Sequence, residues 1–336
     1  MRVVLLGLML LLVTAGAASV FVVDGYQRSF ELPRAWPADT RVRVESGQTL
    51  RTVLTRLAEF GGPPLPPELG LRLYLRWQPQ WAALQAGIYD LRDGESPRDL
   101  LLRMRRGDVA QRTITVVEGR TAREVYADLR RARGVRDDLA VDDVAALAET
   151  FDVPWIEGRW LPESYVVNWD SRLSALLRRM QQAMASAVEE IWPLCQPPSC
   201  QLRTPEELVI LASIIEKETG VAEERDIISG VFHRRLARGM RLQTDPTVIY
   251  GIGPDFNGDL TRADLRRDTP WNTYTRSGLP PTPICLPGRA SLLAAAQPRA
   301  GDSLFFVSRG DGTHVFSRTL DEHNAAVRKY QLGQGS

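Results

Sequence analysis

The strongest constraint on the fold of this chain is an apolar run with helix signals at both ends. Thr204 is a favoured N-cap residue, Pro205 suits the first helical position, and Glu207 completes a capping box. The sequence LVILASII that follows is apolar on almost every side, which predicts a buried helix. Gly220 is the expected end of this helix. The rest of the chain must therefore build a core around it.

One carboxylate near the end of this helix lies on an aliphatic face. At about 100° per residue, Glu218 falls at the centre of the face made by Leu211, Ile214 and Ile215. A carboxylic acid in apolar surroundings keeps its proton to higher pH, as a general acid working near neutral pH must. Glu216 lies about 160° away around the helix, so the two acids cannot share one task. The alternative is an ordinary helix-end ion pair between Glu218 and a neighbouring basic side chain.

The segments in and after this helix carry a specific resemblance. They are ASIIEKET (212–219), ERD (224–226), GMRLQTDPTVIYG (239–251), NTYT (272–275) and SGLPP (277–281). In composition, order and spacing they resemble the endolytic murein transglycosylase family, membrane-anchored enzymes that cut nascent peptidoglycan glycan strands. The second glutamate of EKE is catalytic in that family, which implies that Glu218 is the catalytic residue here.

The resemblance implies a lyase reaction that needs only one carboxylate. Glu218 would protonate the oxygen between N-acetylmuramic acid (MurNAc) and N-acetylglucosamine (GlcNAc), then accept the proton of the muramic acid C6 hydroxyl as that oxygen closes a 1,6-anhydro ring. Glycoside hydrolysis usually needs a second carboxylate. One alternative is therefore a muramidase-type hydrolase in which Glu163 or Asp245 activates water. Another is a membrane scaffold that binds peptidoglycan without cutting it.

Polar and aromatic residues in three matching segments are the expected substrate contacts. WIEGRWLPESYVV (155–167) supplies an acid beside aromatic residues, RLQTDP (241–246) an amide, a hydroxyl and a carboxylate, and WNTYT (271–275) an aromatic ring and an amide. Each group could instead satisfy loop backbone. The predicted substrate-binding residues are Glu163, Gln243, Thr244, Asp245, Asn272 and Tyr274. No cofactor is expected, and no spacing of Cys and His resembles a zinc site.

A β–α pattern occurs three times before this catalytic region. Each copy has a β-rich run, a glycine turn, a Ser or Thr N-cap and a short amphipathic helix, with the caps at Thr49, Ser96 and Thr121. The first copy also resembles a LysM module, which binds glycans that contain GlcNAc; the alternative is a β–α unit without a sugar site. We predict an α+β fold with a LysM-like module at 38–108 and a catalytic domain at 109–336.

A segment near the start of the chain, residues 3–23, is uncharged and strongly apolar. Residues 3–23 would span about 31 Å as a helix, enough to cross a bilayer. Arg2 precedes them, and basic residues stay on the cytoplasmic side. We predict a single-pass anchor at 1–25 in the inner membrane, with the N-terminus cytoplasmic and the catalytic domain periplasmic. The alternative is a cleaved signal peptide. The resemblance adds peptidoglycan synthases as partners.

The net charge, the cysteines and two further segments give additional predictions about binding partners and local structure. A formal net charge of +1 provides no field for binding nucleic acid. Cys195 and Cys200 flank a Pro-Pro loop and either form a disulfide or stay as thiols. The segment 241–253 is predicted to have β-rich ends around its Asp-Pro pair, and LFFVSRGDGTHVFS (304–317) to form a hairpin. His314 on that hairpin matches a histidine of the family, or is a strand residue that faces solvent.

Overall fold

A computed structural model describes residues 24–25 and 27–331. It divides the chain into two compact units. The first runs up to Arg112 and includes Val166–Asp170, and the second comprises Thr113–Tyr165 and the chain from Ser171 onward. The predicted membrane segment at 3–23 lies outside the described residues. None of the helices within the described ranges combines the length and the apolar character that a bilayer crossing requires.

The first unit is built from the first two β–α copies. Its strands β1 (Arg41–Val44) and β2 (Gly87–Asp90) pair antiparallel, and its helices are α1 (Leu50–Ala58), α2 (Glu68–Trp77) and α3 (Pro97–Arg106). The predicted caps are confirmed: Thr49 accepts a hydrogen bond from the Thr52 N–H, and Ser96 accepts one from Asp99. A buried ion pair joins Arg103 to Glu95 at 2.7 Å. The sugar-binding role of this unit stays a prediction.

The second unit is mainly helical with short strand pairs. Its helices are α4 (Ala122–Arg131), α5 (Leu147–Thr150), α6 (Leu173–Ile191), α7 (Pro205–Glu218), α8 (Arg225–Ala237), α9 (Asp245–Ile252), α10 (Arg262–Arg266), α11 (Arg289–Ala296) and α12 (Leu320–Tyr330). The strands are β3 (Gln111–Thr115), β4 (Val135–Arg136), β5 (Ser164–Asn168), β6 (Ser171–Arg172), β7 (Phe305–Ser308) and β8 (His314–Ser317). They pair as β3–β5, β4–β6 and β7–β8. The described residues thus form a mixed α+β fold, as predicted.

Helix α7 lies at the centre of the second unit, as the sequence predicts. Its residues from Leu208 to Ile215 are all buried, and most of them share one hydrophobic cluster with residues of α6, α8 and α11. Thr204 caps its first turn by accepting from the Glu207 N–H. The helix ends at Glu218 with the extended Thr219 as its C-cap, so Gly220 directly follows the helix, as predicted. The Thr219 hydroxyl accepts from the Val221 N–H at 2.9 Å.

One local prediction is wrong, and another holds only for the last residues of its segment. The segment expected to have β-rich ends folds as helix α9, with a proline in its first turn and Gly253 at its C-cap, where φ is +71°. Proline is well accommodated in a first helical turn, where no N–H bond is lost. The acidic, Ala-rich segment 136–150 is predicted by its composition to form a helix after a turn, and its helical part is limited to a 3₁₀ turn and the four-residue helix α5.

The second unit also contains the predicted hairpin and the loop between Cys195 and Cys200. The hairpin is confirmed: β7 and β8 pair antiparallel, with His314 opposite Ser308. Cys195 and Cys200 form a disulfide, which decides between the two alternatives for this loop. Cys285 is a buried free thiol that donates to the carbonyl of Ser213.

Candidate active site

Glu218 is the last residue of α7 and is half-buried. Its carboxylate oxygen Oε1 accepts a short hydrogen bond from the hydroxyl of Thr244, the residue just before α9. Among the described residues, Glu218 takes part in no salt bridge, whereas Lys217 donates to the carbonyl of Gly119 at 3.2 Å. The helix-end ion pair considered as an alternative is therefore absent from this part of the chain.

The surroundings of Glu218 bring the pKa of its carboxyl close to neutral pH. Burial raises the pKa of the carboxyl to about 7, and the Thr244 hydrogen bond opposes that rise. The negative charge of Asp245 raises the pKa further, whereas His314 and Arg235 lower it. A carboxyl with a pKa near the working pH is populated in both protonation states, so it can serve as an acid and then as a base. This is the property that the sequence predicts for Glu218.

The loop that carries Thr244 is held in place from the neighbouring segment at 271–275. The N–H of Gln243 donates to the Thr273 carbonyl at 3.2 Å, and the N–H of Thr244 donates to the Thr273 hydroxyl at 3.1 Å. The hydroxyl of Tyr274 donates to Asp245 at 2.5 Å. Four of the predicted residues, Gln243, Thr244, Asp245 and Tyr274, thus lie in one connected network with Glu218.

Gln243 has a left-handed backbone in this network, with φ +53°. This conformation is uncommon for residues other than glycine. Its side-chain oxygen lies 3.5 Å from the guanidinium of Arg235, which also donates to the carbonyls of Leu242 and Leu304. The backbone at Gln243 therefore turns sharply enough to bring Thr244 under the carboxylate of Glu218.

Most of the chain matches one known protein family. Residues 42–329 match the YceG-like family, which is well over half of the chain. The chain belongs to the YceG-like family. That match includes Glu218, the loop at 243–245 and the first unit's β–α copies.

Two relatives of this YceG-like chain share the name endolytic murein transglycosylase. A Bacillus subtilis protein named endolytic murein transglycosylase is 28% identical over 86% of this chain and 84% of its own length. A Streptococcus pneumoniae protein of the same name is 24% identical over 86% of this chain, which spans only 58% of that longer relative. The crystal structure of a yceG-like protein, lmo1499, from Listeria monocytogenes is 27% identical, with a TM-score of 0.53, over 85% of this chain and 98% of that one.

Two of the predicted substrate-binding residues, Asn272 and Glu163, have other surroundings than the residues next to Glu218. Asn272 is 1% exposed, and its amide nitrogen donates to the carbonyls of Asp264, Leu265 and Arg267 while its oxygen accepts from the Tyr274 N–H. Its side chain therefore holds the loop, and we assign it to the backbone instead of the substrate. Glu163 is exposed, and its carbonyl accepts from the Val116 N–H. A substrate contact of the Glu163 carboxylate stays a prediction.

Glu157 is a second buried acid that the sequence does not single out. It is 9% exposed, and its carboxylate accepts from the Ala122 N–H at 2.9 Å and from the Tyr250 hydroxyl at 3.3 Å. Burial raises its pKa to about 7, against both hydrogen bonds. Its partners come from α4 and α9, which are far away in sequence. The only local signal is its place in the aromatic WIEG segment at 155–158.

A cavity of about 570 Å³ opens beside Glu157, near the start of α7. Its walls include Trp155, Arg159, Trp192 and Val209, and Glu218 does not line it. Val209 precedes Glu218 by nine residues, or about 14 Å along the helix axis. This cavity is therefore separate from the place where Glu218 would transfer a proton.

Proposed function

We propose that the protein is an endolytic lytic transglycosylase of peptidoglycan. It cleaves the β-1,4 bond between MurNAc and GlcNAc in nascent glycan strands, leaves a 1,6-anhydroMurNAc end and so terminates strand elongation. The observation that carries the proposal is Glu218, a half-buried acid at the end of the central helix whose pKa burial raises to about 7. The relatives named endolytic murein transglycosylase support the same assignment.

The proposed reaction moves one proton out and back. Protonated Glu218 donates to the glycosidic oxygen as the bond to C1 breaks, which leaves Glu218 as a carboxylate. That carboxylate then accepts the proton of the C6 hydroxyl as the C6 oxygen attacks C1. The carboxyl ends as it began, and no water enters the product. The Thr244 hydroxyl donates to Oε1, so it orients the carboxyl in both steps.

In the proposed complex the glycan lies along the network of residues that surrounds Glu218. Gln243, Asp245 and Tyr274 line the approach to Glu218 and contact the glycan, with Glu163 as a further contact. The LysM-like module at 38–108 binds the strand outside the active site. The body of the protein lies in the periplasm, anchored by residues 1–25 in the inner membrane next to peptidoglycan synthases. The disulfide of Cys195 and Cys200 supports an oxidising compartment, where such bonds persist.

Digestion of purified murein tests the reaction type and the residue together. We expect products whose muramic acid end weighs one water less than a hydrolysis product. We expect Glu218→Gln to fold normally and to lose activity by at least ~10²-fold, because an amide cannot donate and recover the proton. Glu216→Gln is the matched control, since that residue lies two positions away and accepts from the Gly288 N–H instead.

Other outcomes point to the alternative functions. A muramic acid end that has gained one water would indicate a muramidase. Loss of activity in Asp245→Asn or Glu163→Gln would then identify the second catalytic acid. Binding of murein without any cleavage would indicate a scaffold. Activity of Glu218→Gln within about tenfold of wild type would remove Glu218 from the proposed role.

A further inference from the structure

Two consecutive arginines of α8 donate hydrogen bonds to backbone carbonyls of one later segment. Arg234 donates through Nε to the Ser303 carbonyl at 2.8 Å and through Nη1 to the Arg299 carbonyl at 3.1 Å. Arg235 donates through Nε to the Leu304 carbonyl at 2.7 Å. Arg234 is partly exposed, whereas Arg235 is only 6% exposed. The two side chains therefore make the same kind of contact to the same segment.

Arg235 also holds the loop that leads to Thr244. Its Nη1 donates to the Leu242 carbonyl at 2.8 Å and to the Arg241 carbonyl at 3.2 Å, and lies 3.5 Å from the side-chain oxygen of Gln243. A guanidinium is planar and holds its donors in fixed directions, so one side chain sets the positions of both carbonyls. They directly precede the left-handed backbone of Gln243. Arg235 therefore fixes how the chain enters the turn that places Thr244.

The hairpin of β7 and β8 anchors Arg235. Leu304, which accepts from Arg235, lies directly before β7, and its N–H donates to the Ser317 carbonyl of β8 at 2.9 Å. The Cζ atom of Arg235 lies 5.1 Å from the ring centroid of Phe305, the first residue of β7. A hydrogen bond and a cation–π contact thus fix the guanidinium to the hairpin.

The same hairpin is also bonded to the segment that follows Glu218. Nδ1 of His314 lies 2.7 Å from one carboxylate oxygen of Glu224, and the His314 N–H donates to the other at 2.9 Å. These side chains are only 10% and 11% exposed, so the alternative in which His314 faces solvent is wrong. Glu224 follows Glu218 by six residues. The hairpin is therefore a common anchor for the end of α7 and for the loop before Thr244.

We propose that Arg235 is a positioning residue for the proposed reaction, which holds the loop so that the Thr244 hydroxyl meets the carboxyl of Glu218. This inference rests on the proposed function, because it assigns a role within the same reaction. Arg235 exchanges no proton and bonds no part of the glycan. Its effect passes through Thr244, which donates to Oε1 of Glu218.

The physical reason is that the buried carbonyls of the loop need a donor. Without the guanidinium, the Leu242 carbonyl would lose its buried hydrogen bond, and a buried carbonyl without a partner is costly. The loop would then move until another donor or water satisfies that carbonyl. A displacement of about 1 Å at a catalytic site can lower a rate by ~10²-fold. We therefore expect the loss of Arg235 to act on kcat.

A double-mutant cycle on purified murein tests this role. Arg235→Met removes the donors but keeps a long side chain, and Thr244→Val removes the hydroxyl but keeps the shape. We expect each variant alone to lower kcat by about 10–10²-fold. If Arg235 acts through Thr244, the double variant should be no less active than the less active single variant. KM should also rise in Arg235→Met, because Gln243 and Asp245 lie beside the loop that moves, so kcat is the deciding quantity.

Arg234→Met is the matched control for the loss of Arg235. It removes two hydrogen bonds to carbonyls of the same later segment but none to the loop before Thr244. It should lower the melting temperature but leave kcat at the wild-type level. Arg235→Lys keeps a cation with donors but lacks the planar fork, so its kcat should lie between those of Arg235→Met and wild type. If Arg235→Met does not fold, Arg235→Lys takes its place in every comparison.

Crystal structures of the variants give a test that needs no activity. In Arg235→Met the Thr244 hydroxyl should lie beyond hydrogen-bond distance of Glu218, and in Arg234→Met it should stay within that distance. A contact that is kept in Arg235→Met would overturn the inference. So would kcat losses of Arg235→Met and Thr244→Val that multiply in the double variant, or an equal loss of kcat in Arg234→Met.

The two proposals can fail separately. If wild type forms anhydro ends and Glu218→Gln does not, the proposed function stands whatever the cycle with Arg235→Met shows. Losses that multiply in that cycle then reject only the role of Arg235. If wild type does not form anhydro ends, the proposed function fails, and the crystal structures alone decide whether Arg235 holds Thr244 against Glu218.

Discussion

Gln243 shows how a single residue can combine a backbone cost with a side-chain role. Its φ of +53° lies in the left-handed region, which costs roughly 1–2 kcal/mol for a residue with a Cβ. The neighbours hold it there through the Thr273 carbonyl and the guanidinium of Arg235. Strained residues of this kind persist where the surroundings over-determine them, and they concentrate at functional sites. The strain at Gln243 places Thr244 against Glu218.

Replacement of Gln243 separates these two roles. Gln243→Gly removes the strain, so we expect a small rise in the free energy of unfolding, at most about 1 kcal/mol. We expect turnover on murein to fall in the same variant, because the amide that contacts the glycan is gone. Gln243→Asn keeps an amide and tolerates the left-handed backbone, so it should retain more activity than glycine. Full activity in Gln243→Gly would restrict Gln243 to a backbone role.

Helix α7 forms part of the hydrophobic core and also carries the candidate catalytic residue Glu218. Leu208 and Ile214 are both 0% exposed in it, but only Ile214 lies one turn before Glu218. The aliphatic side chains around the end of this helix exclude water from the carboxyl, and that burial is the first cause of its raised pKa. The same packing therefore stabilises the unit and prepares the acid.

Two equivalent truncations of α7 should differ in activity but not in stability. Ile214→Ala and Leu208→Ala should each lower the free energy of unfolding by about 2–5 kcal/mol. Only Ile214→Ala should also lower the pKa of Glu218, because the space it opens admits water near the carboxyl. Thermal unfolding and the alkaline limb of turnover, measured well below the melting temperature, check this. An equal shift of the limb in both variants would contradict it.

An element can be predicted from the sequence when the residues that determine it are close together in the chain. The N-cap of α7, its buried centre and the β7–β8 hairpin follow from local residues, and so does the position of Glu218. Helix α9 does not, because Thr, Val, Ile and Tyr favour strands and only its proline favours a helix start. Glu157 and the Glu224–His314 pair could not be predicted, since their hydrogen-bond partners are 35 to 93 residues away in sequence.

The pH dependence of the stability of the protein should reflect the two acids whose pKa values lie near 7. Burial raises the pKa of both Glu218 and Glu157 from 4.5 to about 7. Between these values the folded chain keeps protons that the unfolded chain has released, so the free energy of unfolding falls as pH rises. Each acid contributes at most about 1.4 kcal/mol per pH unit. Below about pH 4.5 and above about pH 7 their contribution no longer changes.

Other groups impose their own slopes, so the measurement must be a difference between variants. Burial lowers the pKa of His233 and of His323, which makes the folded chain more stable as pH rises toward 6.5 and opposes the acids. Glu218→Gln and Glu157→Gln each remove one raised carboxyl and leave both histidines in place. Relative to wild type, we expect each variant to gain stability steadily from about pH 4.5 to about pH 7, with little further gain above.

The two variants should nevertheless differ in activity, which ties the stability argument to the proposed reaction. Glu218→Gln should be stabilised and inactive. The carboxyl of Glu218 lowers the free energy of unfolding near neutral pH, and the same carboxyl transfers the proton in the proposed reaction. Glu157→Gln should be stabilised and largely active, since its carboxyl bonds the Ala122 N–H and the Tyr250 hydroxyl. Denaturant unfolding across this pH range, paired with murein digestion, measures both. A stability difference from wild type that stays constant with pH in Glu218→Gln would mean that Glu218 is ionised throughout, and the acid step would then lack its proton.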